Sequence, residues 1–248
     1  MAQGSDSRLM IDEDFYGPAS TLAATTVPPI ALGGLNIVGQ GIAETDSGAP
    51  RLDSDGLNGV IQLTTTNEDV HAAGLQSATM FDVALMGSIV MEARVRQAAL
   101  NTGEVFIGFS DVNTDLAIIE GAICHGDTIT VTLTASDLVG FLMASDLTDN
   151  SDWHGIYNGG TTTGQTISTS VDLDAGATAG EYQVLRLEIF PNGTAEYWVD
   201  GVLKQTTTGA VSTSVDLCLN VIVESKTTAV KTLDVDYIKV WANRDWTA

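Results

Sequence analysis

Two turn dipeptides in the last quarter of the chain constrain its fold more than any other feature. Asn192-Gly193 separates Tyr182–Phe190 from Thr194–Val199, and Asp200-Gly201 separates that second run from Val202–Thr207. Apolar and polar residues alternate within each run. Asn-Gly and Asp-Gly tolerate the positive φ that two-residue hairpins need, because primed turns match the twist of the strands they join. The spacing therefore predicts an antiparallel meander. Leu217–Glu224 and Leu233–Trp241 follow as two further runs of strand length. The expectation is an all-β chain.

The period of two recurs upstream. In Asp127–Ala135, Ile129, Val131 and Leu133 alternate with threonines, as in a strand with one buried face. Gly59–Thr66, Glu104–Ser110 and the uniformly apolar Leu138–Ala144 also read as strands, as does the short Leu9–Ile11. Ser77–Leu100 is rich in Ala, Leu, Met and Glu, which favours helix on propensity alone. Within it, Met91, Ala93 and Val95 alternate with Glu92, Arg94 and Arg96, so Ser88–Gln97 is assigned to a strand. Pro28-Pro29 and clustered glycines make residues 18–50 an irregular arm or extended edge segment. Thr148–Gly164 reads as a long polar loop. No fixed repeat or flexible linker interrupts residues 1–248, and a single domain is the simplest organisation.

Charge narrows the function classes. The chain carries 32 acidic and 10 basic residues, a formal charge of −22. Nucleic-acid binding needs clustered Lys and Arg, and only Arg94 and Arg96 lie within three positions of each other. Anionic membranes are disfavoured for the same reason, and no run approaches the length of a span. Cys124 and Cys218 each sit in an apolar run and are expected to be buried free thiols. Met1–Asp6 has neither the basic start nor the apolar segment of a secretory leader.

Three pieces of the sequence, in order, resemble the concanavalin A-like lectin/glucanase superfamily. The first is Ile11-Asp12-Glu13-Asp14-Phe15-Tyr16-Gly17. The second is Met91-Glu92-Ala93-Arg94-Val95-Arg96 with Phe106-Ile107-Gly108-Phe109. The third joins Leu185–Ile189, Tyr197-Trp198-Val199-Asp200-Gly201 and the closing Val235-Asp236-Tyr237-Ile238-Lys239-Val240. The resemblance implies an antiparallel jelly-roll β-sandwich, two curved sheets face to face. Hydrolytic members of that superfamily carry Glu-x-Asp-x-x-Glu on one strand, and retaining glycosidases need the acid pair about 5 Å apart. Here the sole Glu-x-Asp is Glu44-Thr45-Asp46, in a Gly/Pro-flanked loop with no Glu three residues on, and Leu138–Ala144 contains no carboxylate. The resemblance implies the scaffold without the hydrolase.

Three groups of residues are candidate sites. Asp111, Asn113 and Asp115 place oxygen ligands at alternate positions, which suits calcium, but Leu116 and Ala122 stand where an EF-hand needs its glycine and bidentate acid. Asp12, Asp14, Asp234 and Asp236 would gather around a cation if the first and last strands pair. Trp153, His154 and Tyr157 form an aromatic-polar set that could stack on a sugar, or cap the sandwich rim. No cofactor is expected; calcium is the one candidate these sets raise. His71, His125 and His154 have no ligand spacing to one another, and adjacent Cys124 and His125 point to opposite faces of a strand, so the spacing makes no case for zinc.

The expected function is non-enzymatic: a virion structural protein decorating a bacteriophage capsid exterior, or part of a head fibre or tail assembly. This is what the resemblance implies, because jelly rolls of this superfamily without catalytic acids resemble the capsid-decorating, head-fibre and tail-associated proteins of tailed bacteriophages; the absence of a leader, the acidic and Lys-poor composition and the proline-bearing arm are in keeping with it. Its partners would be capsid or other virion proteins and copies of itself, a trimer among the candidates. The alternative is an extracellular lectin-like adhesion module that binds glycans. A glycoside hydrolase with displaced acids ranks third.

Overall fold

The computed structural model describes residues 8–15, 30–39, 51–52, 59–114, 119–226 and 228–244. The first strands are β1 (Arg8–Glu13), β2 (Ile30–Leu32), β3 (Leu35–Val38), β4 (Arg51–Leu52), β5 (Ile61–Thr64), β6 (Ala72–Gln76) and β7 (Phe81–Asp82). The middle of the chain supplies β8 (Ile89–Gln97), β9 (Gly103–Ser110), β10 (Cys124–Asp127), β11 (Thr130–Leu133), β12 (Leu138–Ala144), β13 (Asp152–Asn158) and β14 (Asp172–Gly176). The meander is β15 (Tyr182–Ile189), β16 (Ala195–Val199) and β17 (Val202–Thr207), followed by β18 (Asp216–Ser225) and β19 (Thr232–Asn243).

Two antiparallel sheets result. Sheet I runs β17-β16-β15-β8-β19-β5-β4, with β1 also paired to β19. Sheet II runs β14-β13-β12-β9-β18-β6-β3-β2, with β7 against β18, and β10 and β11 form a separate hairpin. Strands distant in sequence sit side by side, as β8 does between β15 and β19, and this is the crossed connectivity of a jelly roll. Among the described residues no helix is long and apolar enough to cross a membrane.

The meander forms as its turns dictate, with one difference. Asp200 (φ +50°) and Gly201 (φ +78°) make a two-residue primed turn. At Asn192-Gly193 only the glycine is left-handed, at +76°, and the Phe190 N–H bonds the Thr194 carbonyl, so Pro191, Asn192 and Gly193 make a three-residue loop. Pro191, with its fixed φ, favours this type I start. The helix-prone Ser88–Gln97 is indeed a strand, and its burial alternates along Met91–Gln97. A position that faces the core every second residue overrides propensity.

Two readings change. Thr148–Gly164 is not a loop throughout, because Asp152–Asn158 is the buried strand β13. Asp152 and Asn158 lie at the strand ends, Trp153 and Tyr157 pack toward sheet I, and His154 and Ile156 are buried on the opposite face. The strand read at Asp127–Ala135 is the shorter β11, with Ile129 in the turn before it and 52% exposed. Within 18–50, Ile30–Leu32 and Leu35–Val38 form a hairpin at one edge of sheet II; residues 18–29 and 40–50 lie outside the described residues.

The core lies between the sheets. Phe141 of β12 meets Tyr197 of β16 edge-on at 5.6 Å and Trp153 of β13 at 6.4 Å, while the Tyr197 hydroxyl donates to the Ile156 carbonyl at 3.0 Å. Phe141 therefore faces sheet I, and strand alternation turns its neighbour Leu142 to the opposite side.

Candidate functional site

That opposite side of sheet II is where this chain departs from a simple sandwich. Leu142 pairs with Phe106 of β9 and His154 of β13, and Phe106 with Ile222 of β18. Two residues along the strands, Ala144, Glu104 and Glu224 form the next row on the same face. Every residue of β9 and β12 is buried. The cover is the chain's own segment between β9 and β12. The tight turn Ile119–Ile123 and the β10–β11 hairpin lay Ile119, Ile123, Cys124 and Val131 over the sheet, all at most 1% exposed. Gly126 permits the closest approach, because a Cβ there would lie 2.7 Å from the Ala144 methyl. We call this segment the roof.

Two buried carboxylates pin the roof. Glu224 accepts the Ile119 N–H at 2.5 Å and the Glu120 N–H at 3.2 Å. Burial, and then the charge of Glu104 beside it, raises its pKa to about 7. Glu104 accepts the Gly126 N–H at 3.2 Å and lies 3.0 Å from Nδ1 of His125. That hydrogen bond lifts the His125 pKa against the opposing effect of burial. Lys226 is bonded to Glu120, lies 3.6 Å from Asp146 and stands 3.2 Å from His125 Nδ1. Burial alone would lower its pKa, but the Glu120 bond and the surrounding carboxylates raise it. Farther along, the Asn158 amide donates to the Ala135 carbonyl at 2.9 Å, so the roof is tied from β18 to β13.

None of these residues was singled out by spacing, because the chain brings them together across 21 to 106 positions. The available signal was a glutamate inside each apolar run, Glu104 in β9 and Glu224 in β18. An acid within a strand buried on both faces needs donors from elsewhere.

The candidate sites fare differently. Trp153 is 1% exposed and donates its Nε1–H to Gln183 at 2.9 Å. His154 is 0% exposed, its ring nitrogens have no partner, and burial lowers its pKa. Tyr157 is 6% exposed. The aromatic set is therefore part of the sandwich interior and offers no stacking platform, because alternation along β13 turns Trp153 and Tyr157 to the core.

β1 does pair with β19, but its carboxylates find cations of the chain. Asp12 lies opposite Lys239, 3.6 Å from its amine. Asp234 takes a two-pronged bond from Arg96 at 2.6 and 2.9 Å, and Asp236, lifted by a bulge between Val235 and Tyr237, binds Arg94. Lys239 stands five positions beyond Asp234 on β19, about 17 Å away, so Asp12 and Asp234 cannot share an ion. Asp14 is exposed beyond β1. In the remaining set the Asn113 amide is spent on Thr79 at 2.8 Å, Asp111 has a buried oxygen without a partner, and Asp115 lies outside the described residues.

A shallow groove of about 500 Å³ opens beside β17, lined by Thr162, Ser170, Asp172, Lys204, Gln205 and Thr207 with Tyr157 at its floor. A second acidic group, Asp149, Asp152 and Asp172, brings one oxygen of each within 4.8 Å, and burial plus the neighbouring acids raise the pKa of Asp152.

No protein-family model matches the sequence, and no curated protein matches it. Solved structures match in fold. Peanut lectin superposes with a TM-score of 0.57 at 10% identity over 95% of this chain and 97% of that one. A Bacillus licheniformis β-glucanase gives 0.52 at 13% identity, covering 93% and 97%. A carbohydrate esterase from the Shiga toxin-encoding bacteriophage phi24B gives 0.50 at 17%, covering 85% and 91%. At such identities the likeness is one of fold alone. The chain is an all-β, concanavalin A-like jelly-roll sandwich, a scaffold shared by lectins and by carbohydrate-active enzymes.

Proposed function

We propose that this protein is a non-catalytic virion structural protein, a lectin-fold module carried on the exterior of a bacteriophage capsid, head fibre or tail. One observation carries the non-catalytic half: the face of sheet II away from the core is covered by the chain's own roof, and its two buried glutamates are engaged by backbone N–H groups. A glycosidase needs a pair of acids open to a sugar and to water. The particle half draws support from the charge of −22, which keeps a surface protein soluble and resists unspecific contact with nucleic acid. Among the described residues the hairpin Ile30–Val38 ends sheet II, the position from which a strand would pair with a neighbouring subunit. Assembly as a homo-oligomer follows from that role. The test is mass spectrometry of purified particles together with a reducing-sugar assay on β-glucans. The reading expects peptides of this chain in the particle and no sugar release; their absence from the particle, or release that depends on one glutamate, overturns it.

A second reading, a glycan-binding adhesion module, is favoured by the groove beside β17. Its lining of Thr162, Ser170, Asp172, Lys204, Gln205 and Thr207 is polar, as a polyol site requires, although Gln205 and Lys204 already donate to the chain's own oxygens. Micromolar binding on a glycan array, lost in Gln205→Ala, selects this reading.

A further inference from the structure

Glu104, His125 and Asp146 come from three different parts of the chain: the start of β9, the roof hairpin and the turn after β12. One ligand atom from each lies within 4.8 Å of the other two. Two details of this cluster are unresolved by the protein's own hydrogen bonds. The Oε2 of Glu104 is buried, in a side chain 0% exposed, and has no partner among the described residues. A buried carboxylate oxygen without a donor is rare in a folded protein. His125 Nδ1 lies 3.0 Å from Glu104 Oε1 and 3.2 Å from Lys226 Nζ. A single ring nitrogen cannot donate to the carboxylate and accept from the ammonium at once.

We propose that Glu104, His125 and Asp146 form a binding site for a first-row divalent metal ion of the zinc or manganese type, with the Lys226 ammonium holding the cation's place when no metal is bound. A metal ion settles both conflicts. It takes the Nδ1 lone pair and the orphaned carboxylate oxygen, and it answers the negative charge of Glu104, Glu120, Glu224 and Asp146 that Lys226 now faces. Glu120, released from Lys226, is the natural fourth ligand. An imidazole among carboxylates favours zinc or manganese over calcium, which prefers an all-oxygen shell. Cys124, adjacent to His125, points to the other side of its strand and adds no sulfur. Because His125 belongs to the roof and Glu104 to sheet II, the ion would fasten one to the other, and its binding energy would add to folding.

The test uses the full chain stripped with a chelator and titrated with zinc or manganese chloride, followed by calorimetry and thermal melting. The expected result is one ion per chain and a higher Tm in its presence. Asp146→Asn, at a half-exposed position that leaves the fold intact, weakens binding at least tenfold, and His125→Gln does the same. Lys226→Met tightens binding, because it removes the competing charge; a purely structural lysine would not produce that change. Asp149→Asn, in the other acidic group, leaves binding as it was. No heat at millimolar metal, binding equal in Asp146→Asn and wild type, or loss confined to Asp149→Asn overturns the proposal.

Discussion

The outward faces of the two sheets carry similar residues and treat them in opposite ways. On sheet I the strands β15 and β16 alternate buried and part-exposed positions, and the polar side chains meet water. There Arg94 and Arg96 pair with Asp236 and Asp234 and stack on Tyr182 at 4.1 and 4.7 Å. On sheet II the equivalent face is roofed, and Glu104, Glu224 and Asn220 are fully buried. Charge in water needs little from its neighbours, whereas charge under a roof must be matched by specific donors. The first face tolerates change, and the second does not.

The sharpest way to break this contrast is to remove a pin. Glu224→Ala strands the Ile119 and Glu120 N–H groups under the roof and should cost about 3 kcal/mol. The check is urea unfolding; a loss below about 1 kcal/mol would mean that the roof is not held by this carboxylate. Lys231, just before β19, comes next. Its amine is fully buried and donates to the Ala99 and Leu100 carbonyls at 2.7 and 3.4 Å, and burial lowers its pKa from 10.5 to about 7. Between these values the unfolded chain holds a proton that the folded chain has released, so this group's contribution to stability rises with pH, by at most about 1.4 kcal/mol per unit. Below pH 7 the burden of the buried charge is complete. Stability measured from pH 7 to 10 should show a shallower rise in Lys231→Met than in wild type, and equal slopes would refute the assignment. The smallest effect belongs to the wet face: Asp236→Asn should cost less than about 1 kcal/mol, and the difference should fade near 1 M salt. Thermal melts in low and high salt decide it.

The same contrast governs how much of the molecule was legible in its sequence. Sheet I strands such as Tyr182–Ile189 and Ser88–Gln97 show their period because one face is wet. Leu138–Ala144 was readable as a strand but not in orientation, since both of its faces are dry and the period vanishes. Trp153 and His154 were misplaced because Asn150, Asp152 and Asn158 around them look like loop chemistry, although β13 turns those polar groups to its ends. The Glu104–His125–Asp146 cluster could not be read at all. Its members lie 21 residues apart in succession, far beyond any ligand motif, and what joins them is a pairing of β9 with β12 and the fold of the segment between.

That segment has a consequence for how this scaffold can change. Ser110 and Leu138 are direct partners at the ends of adjacent antiparallel strands, and a turn of two to five residues, roughly the usual hairpin length, would connect them. Residues 111–137 are therefore an insertion in that hairpin, outside the β9–β12 ladder although pinned to β18 and β13 through Glu224 and Asn158. Excising them would trade a shut pan for an open bowl whose bottom is already furnished with Gln76, Asn220, Ser110 and two glutamates. Occluded and accessible versions of one jelly roll stand a single loop deletion apart.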